Sequence, residues 1–441
     1  MRRWIWIFCL LVWALPAQAI SLISDEETET WLFDILTPIF KEANLPLSRD
    51  YVHIVKDDSL NAFVGDKNHM FVHTGTLIKA KNANEIEGVL AHETGHILGG
   101  HLLRMKIQMQ DLNRASLASL LAAAGAAAAS GRGDAAIAVV LGTQSSALNA
   151  MTSYQVTEER AADETAVMLL HKNKKSVQGI RNFMQKIQHE NRLQGINENP
   201  YFRTHPITTE RIAFFEDNLK RETSVLPEIK SDERLRRIQA KLFAYIEPLD
   251  KVLRQYPLTD TSLTGNIAHT VYFMRQRKLE QALKYAEKLI RQEPNNPYFW
   301  ELKAQALFES GKIKQAVAAY AQTLKLAPQS DLFKLSYTEA VLAAEPSTED
   351  LKRLIILLEQ ANRKHSYPIA FHYLGKIYAT LGQIAISDYY AAEYNAALGE
   401  NHIARRQLDK ALKAPLREDI RLRAEDLRVK LHQENRKKSL F

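Results

Sequence analysis

The chain is almost without cysteine. One residue of the 441 is Cys, and that residue, Cys9, falls inside an N-terminal stretch expected to be removed. The mature protein is therefore expected to carry neither thiol nor disulfide, so core size, with or without a metal, must supply its stability. Long hydrophobic runs are missing too. The apolar stretches at 4–15, 117–129 and 135–141 are each shorter than the roughly 20 residues a membrane-spanning helix needs. Charge of one sign is not in large surplus: the net charge is +7, with 46% hydrophobic and 25% charged residues. No basic patch interleaved with aromatics is present, which sets nucleic acid aside as a partner. The mild basic excess suits anionic membrane surfaces or acidic partners, and only weakly.

What is present begins with an export pattern. Arg2 and Arg3 precede the apolar stretch, and Ala17-Gln18-Ala19 forms a small-residue cleavage site, so cleavage after Ala19 and a location outside the cytoplasm are expected. A chain of this length exceeds one core, and two folded domains follow.

The stretch around which the rest is organised is Leu90-Ala91-His92-Glu93-Thr94-Gly95-His96-Ile97-Leu98-Gly99. His92 and His96 are four apart and share one helix face. Two imidazoles so placed grip one metal ion while Glu93 beside them handles a proton, the H-E-x-x-H logic of zinc peptidases. The apolar surround of Val89, Leu90, Ile97 and Leu98 argues for a buried helix, where unpartnered histidines would be costly. Asn84 followed by Glu87 gives the helix its expected start, and it is expected to run through His101. A longer H-E-x-x-H-x-x-G-x-x-H pattern fails, because position 102 is Leu and His101 would point about 100° away. A third ligand must come from elsewhere, and a second helix is the usual donor. Two short strands, at 51–64 and 69–77, precede the motif and suggest a small antiparallel sheet able to pair with an extended peptide near 69–77. His69 and His73 lie there and read as solvated or locally bonded.

The small-residue runs within 115–142 suggest a helical hairpin, packed on the protein's own core or touching a membrane surface. Then Glu158-Glu159-Arg160-Ala161-Ala162-Asp163-Glu164 opens a helix. Glu159 and Asp163 are four apart on a stripe that turns apolar at Ala166 and Leu170. Such a pair is explained by a cation, one carboxylate ligating and the other accepting an imidazole N–H. A charged helix start is the plainer account; it covers Glu158 and Glu159 better than Asp163.

His-Glu-x-x-His followed by Glu159-Arg160-Ala161-Ala162-Asp163 resembles the M48 family of zinc metallopeptidases. So do Asn61-Ala62-Phe63, Val89-Leu90-Ala91 and Thr204-His205-Pro206 followed by Glu210-Arg211-Ile212. The resemblance implies one Zn2+ per chain held by His92, His96 and Glu159, with Asp163 supporting a ligand histidine and Glu93 as the catalytic base. For His205 it implies a fourth ligand that holds the site closed. Donation to the transition-state oxyanion and a purely structural role stay open beside it. Lacking long apolar helices, the chain resembles the soluble periplasmic branch. That branch implies unfolded or misassembled outer-membrane proteins as substrates and the outer-membrane barrel assembly machinery as a partner. A scaffold or chaperone with a closed or vestigial zinc site is the rival reading.

Beyond a charged join at 222–260, Ala282, Ala286 and Pro294 recur at Ala316, Tyr320 and Pro328, 34 residues on. Trp300, Leu307 and Gly311 complete the packing pattern of a tetratricopeptide repeat. A more divergent unit follows at Phe371, Leu374, Gly375, Tyr378 and Gly382, and 407–412 flanks it. Paired helices of this kind stack into a curved solenoid. The expected fold is mainly α within an α+β class. Residues 1–19 are the signal, 20–255 a zincin-like helical peptidase domain with a small antiparallel sheet, and 256–441 an all-α repeat solenoid.

Overall fold

The computed structural model describes residues 21–111, 114, 155–194, 201, 204–222, 232–363 and 367–438. The expected signal at 1–19 and the runs within 115–142 lie outside the described residues. After a short strand, β1 (Leu22–Ile23), Asp25 caps helix α1 (Glu26–Glu42) by accepting the Thr28 N–H at 2.9 Å. Glu26, Glu27 and Glu29 set negative charge against the positive end of its dipole. Trp31, Leu32, Leu36, Ile39 and Phe40 form its buried face and anchor the N-terminal core.

The sheet is mixed, not antiparallel as the sequence suggested. Strands β2 (Val52–Val55), β3 (Ala62–Val64) and β4 (Met70–His73) join β1 in the order β1-β2-β4-β3. β1 with β2 and β3 with β4 are antiparallel, whereas β2 and β4 run parallel. The alternation at 51–64 is thus two strands, separated by a crossing that carries β3 to the far side of β4. Residues 74–77, expected as strand, begin helix α2 (Thr74–Lys79). The crossing takes their hydrogen bonds: Gly75 N–H donates to Asp57 O at 2.8 Å, and the Thr76 hydroxyl donates to Asn61 O at 2.7 Å. β4 is therefore interior, with partners on both sides. The edge strands are β1 and β3, and β3 is the one whose Phe63 and Val64 line a cleft beside the motif helix.

Helix α3 (Ala83–Gly99) carries the His-Glu-x-x-His motif. Its cap is Asn82, whose side chain accepts the Glu85 N–H at 3.2 Å, and not Asn84, which is buried in the first turn. It also stops short of His101. Gly100 has φ +64, and a separate helix, α4, covers 101–111. Helix α5 (155–172) carries Glu159 and Asp163. Helices α6 (Gln178–Gln194), α7 (Thr209–Arg221) and α8 (Glu233–Ile246) complete the N-terminal region.

From Leu249 to Lys438 the described chain is a succession of helices. Those opening at Leu263, Pro297 and Asp331 start 34 residues apart, as do those opening at Leu279 and Ile313. That is the tetratricopeptide period read from the sequence. Ala282, Ala304, Ala306 and Ala316 are buried where neighbouring helices meet. Gly311 and Gly382 take positive φ at the tight turns between paired helices. Two apolar cores serve the repeats, and a third serves the N-terminal region. Helix α8 belongs to both sides: Leu235, Ile238 and Leu242 enter the N-terminal core, and Ala240 and Ala244 the first repeat core. No helix among the described residues is long and apolar enough to cross a membrane.

Candidate metal centre

Three pieces of chain build the site. Helix α3 supplies His92, Glu93 and His96, helix α5 supplies Glu158, Glu159 and Asp163, and the stretch 205–211, which runs into the first turn of α7, supplies His205 and Arg211. Gly95, between the two histidines, lets α3 and α5 touch. A Cβ there would lie 2.8 Å from the Ala162 carbonyl oxygen and 2.9 Å from its Cα. Because Ala162 sits between Glu159 and Asp163, this close approach sets the carboxylates opposite the imidazoles.

Ligand atoms of His92, His96, Glu159 and His205 all lie within 4.8 Å of one another. His92 Nε2 is 3.1 Å from His96 Nε2. Glu159 Oε2 is 3.4 Å from His92 Nε2, and Oε1 is 3.3 Å from His96 Nε2. A tetrahedron of N and O ligands about 2.0–2.1 Å from a metal has edges of about 3.3 Å, so this donor set fits a tetrahedrally bound divalent cation. His205 closes the fourth side, with Nδ1 2.9 Å from Glu159 Oε1 and Nε2 3.6 Å from Glu93 Oε1. Glu93 is 1% exposed, and its Oε1 has no hydrogen-bond partner among the described residues. A buried acceptor left in that state is expensive unless its partner is a reactant or a ligand.

Behind this ring lies a supporting layer. His92 Nδ1 is 2.9 Å from Asp163 Oδ1. Arg211 donates to both oxygens of Asp163, from Nε at 2.6 Å and from Nη2 at 2.8 Å. Its Nη1 donates to the Pro206 carbonyl at 2.8 Å and lies 2.7 Å from Glu159 Oε2. Tyr201 stacks on His205 with ring centroids 4.6 Å apart. On the other flank, His101 Nδ1 is 2.7 Å from His96 Nδ1, and Arg104 grips Glu158.

The electrostatics follow from burial and neighbours. Burial works against a charge on His92, but its contacts with Asp163 and Glu159 outweigh that and hold the imidazole at about 9. Burial, reinforced by the charges of His92 and His205, pushes His96 down to about 3 despite Glu159. Burial raises Glu93, and the nearby histidines offset this only partly. Burial would raise Glu159 and Asp163 as well, yet both are lowered, Glu159 by its histidine partners and Asp163 by Arg211. A metal entering the cluster must displace the proton that His92 holds.

The site opens into a cleft of about 730 Å³, lined on its apolar side by Phe63, Val64, Ile97, Leu102, Met105 and Met109. The structure brings together all the residues singled out in the sequence: His92, Glu93, His96, Glu159, Asp163 and His205. His69 and His73 stay apart from them. His53 Nε2 pairs with His69 at 2.7 Å, and Ser59 with His73 at 2.9 Å. Sequence reasoning missed three groups. Arg211 was visible only as part of Glu210-Arg211-Ile212, and an arginine at a helix start reads as solvated. Tyr201 had no signal. His101 was set aside on the assumption of one unbroken helix, although the paired Gly99-Gly100 was there to break it.

Residues 26–218 match the model of peptidase family M48, and residues 271–331 match that of the tetratricopeptide repeat. The chain is 22% identical over 351 residues to the beta-barrel assembly-enhancing protease of Yersinia pestis, covering 76% of this chain and 69% of that protein. It is 22% identical over 306 residues to the protein of the same name in Escherichia coli, covering 67% of this chain and 61% of that one. Against a protease HtpX homolog of Campylobacter curvus it is 28% identical over 209 residues, covering 41% of this chain and 72% of that protein.

Proposed function

From a peptidase family M48 domain at residues 26–218, followed by tetratricopeptide repeats, we propose that the chain is a zinc endopeptidase of the cell envelope. Its substrates on this reading are misfolded or stalled outer-membrane proteins. The observation that carries the reading is the near-tetrahedral spacing of His92, His96 and Glu159, with the Glu93 carboxylate beside them, its Oε1 without a hydrogen bond among the described residues. Those three side chains hold Zn2+, and Asp163 orients His92. When bound, the metal polarises the scissile carbonyl and lowers the pKa of its water to about 7.

The remaining steps belong to the protein's own groups. Glu93 takes a proton from the attacking water and returns it to the departing amine. The substrate backbone pairs with β3, the edge strand whose Phe63 and Val64 line the cleft. This replaces the pairing near 69–77 expected from sequence. Asn61 lines the same cleft, and its buried Oδ1 has no partner among the described residues, which suits acceptance of a substrate N–H. His205 covers the site, serving as a fourth ligand in the closed state and as an oxyanion donor once displaced.

The names of the relatives support outer-membrane clients and the barrel assembly machinery as partners of the repeats. The Ala17-Gln18-Ala19 pattern supports the periplasm. The bond of His205 to Glu159 favours one rival, a scaffold whose zinc site stays shut.

Metal analysis and client degradation, measured together on wild type, Glu93→Gln and His205→Ala, separate the two. Glu93→Gln should keep stoichiometric zinc and lose proteolysis by about 10²-fold or more. His205→Ala should raise basal cleavage. Zinc-free wild type, or Glu93→Gln with unchanged cleavage, would sink the enzyme reading.

A further inference from the structure

His96 turns Nε2 toward the metal cluster, and its other ring nitrogen, Nδ1, lies 2.7 Å from Nδ1 of His101. The two rings meet edge to face, 4.7 Å between centroids. Two ring nitrogens this close share one proton, so one donates and the other accepts. The partners of His101 decide which. Its Nε2 faces Oε2 of Glu158, an ionised carboxylate that only accepts. Arg104 already neutralises that carboxylate, donating from Nε at 3.0 Å and from Nη2 at 2.7 Å. In the neutral ring the proton therefore sits on Nε2, toward Glu158, and Nδ1 is the acceptor. His96 must then donate from Nδ1, which leaves the lone pair of its Nε2 facing the cluster.

The chain is shaped to make this contact. A Cβ on Gly99 would fall 2.0 Å from His101 Nε2, so the ring occupies space that only a glycine leaves open. Gly100, at φ +64, breaks the helix and turns residue 101 back over its last turn. His101 ends 6% exposed.

We infer that His101 is a positioning residue that fixes the tautomer and ring orientation of His96 through the chain Arg104–Glu158–His101–His96. It does for the second histidine what Asp163 does for the first, using a neutral imidazole in place of a carboxylate. The inference rests on the reading of His92, His96 and Glu159 as metal ligands. Outer partners of this kind typically carry 10–100-fold of metal affinity.

The test is a titration of the full chain with Zn2+ against a chromophoric chelator, for wild type, His101→Ala, His101→Asn and Gly99→Ala. Circular dichroism and the thermal midpoint of each metal-free form are recorded alongside. His101→Ala should bind Zn2+ about 10–100-fold more weakly. His101→Asn should recover most of that loss, because its Oδ1 replaces Nδ1 as the acceptor for His96. Gly99→Ala should weaken binding by crowding the ring without removing it, and it reports even if His101→Ala does not fold. Wild-type affinity in His101→Ala or Gly99→Ala overturns the inference, as does an Asn variant no better than Ala. A wild type that binds no Zn2+ overturns the parent reading instead.

Discussion

At the scale of single residues, Arg211 does more than the sequence disclosed. Buried and bidentate on Asp163, it also sits against Glu159, so one guanidinium touches both carboxylates of the site. Arg211→Ala would strip Asp163 of its bidentate partner and leave both carboxylates to the histidines alone. A buried charge stripped of its partner costs about 3–5 kcal/mol, and urea unfolding of the metal-free chain should fall by that order. Arg211→Lys should recover little, since an ammonium cannot reproduce the planar fork. The proposed ligand set was legible. His92 and His96 announce themselves by spacing, and Glu159 and Asp163 by their place on a stripe that turns apolar. The carboxylate spacing alone could not show Arg211, because a side chain's burial is decided by what folds over it. His205 was legible as a residue worth weighing; only the folded chain sets its Nδ1 against Glu159.

At the scale of elements, the decisive feature is a crossing with no room to spare. Gly95 and Ala162 bring α3 and α5 into backbone contact, and everything the two helices offer each other is aimed from there. Gly95→Ala should cost about 1–3 kcal/mol by overpacking. Because the obstacle is backbone, the helices must part and the ligand spacing must widen. Zinc affinity should therefore fall along with stability, and a variant that loses stability yet keeps full affinity would contradict this account. The helices were largely readable from periodicity and caps. The sheet was less so, since each strand here is two to four residues long. A pattern that short does not reveal that the chain leaves β2, forms an edge at β3 and returns between them as β4. The stop at Gly100 was missed although Gly99-Gly100 weakens the helix locally: what rewards the break is the contact of His101 with His96, which only the folded chain makes.

At the scale of the whole molecule, the N-terminal region and the repeats are joined through a buried knot of charge. Lys241 on α8 is 3% exposed and lies 2.6 Å from Asp25 and 3.3 Å from Glu27, at the head of α1. Arg237 links Glu27, at 3.2 Å, to Glu293 in the repeats, at 3.1 Å. Glu301, from the helix Pro297–Glu309, joins the same cluster. Burial, together with the charges of Asp25, Glu26 and Glu27, raises it to about 8 against the pull of Lys241. The sign follows from linkage. A carboxyl that holds its proton more tightly folded than unfolded, about 8 against 4.5, costs no stability below the unfolded value. It withdraws stability as pH climbs from there through about 8. Glu301→Gln should thus match wild type near pH 4 and exceed it in thermal midpoint above pH 8. A constant offset across that range would show that Glu301 does not titrate there.

Helix α8 gives this join its mechanical meaning. It sits like a dowel in two blocks, one flank glued into each. Nothing that tugs the repeat array can spare the wall of the hydrolytic half, since the same fourteen-residue rod is part of both. A load on the solenoid would be felt, through that rod, at α1 and α2, against which it packs.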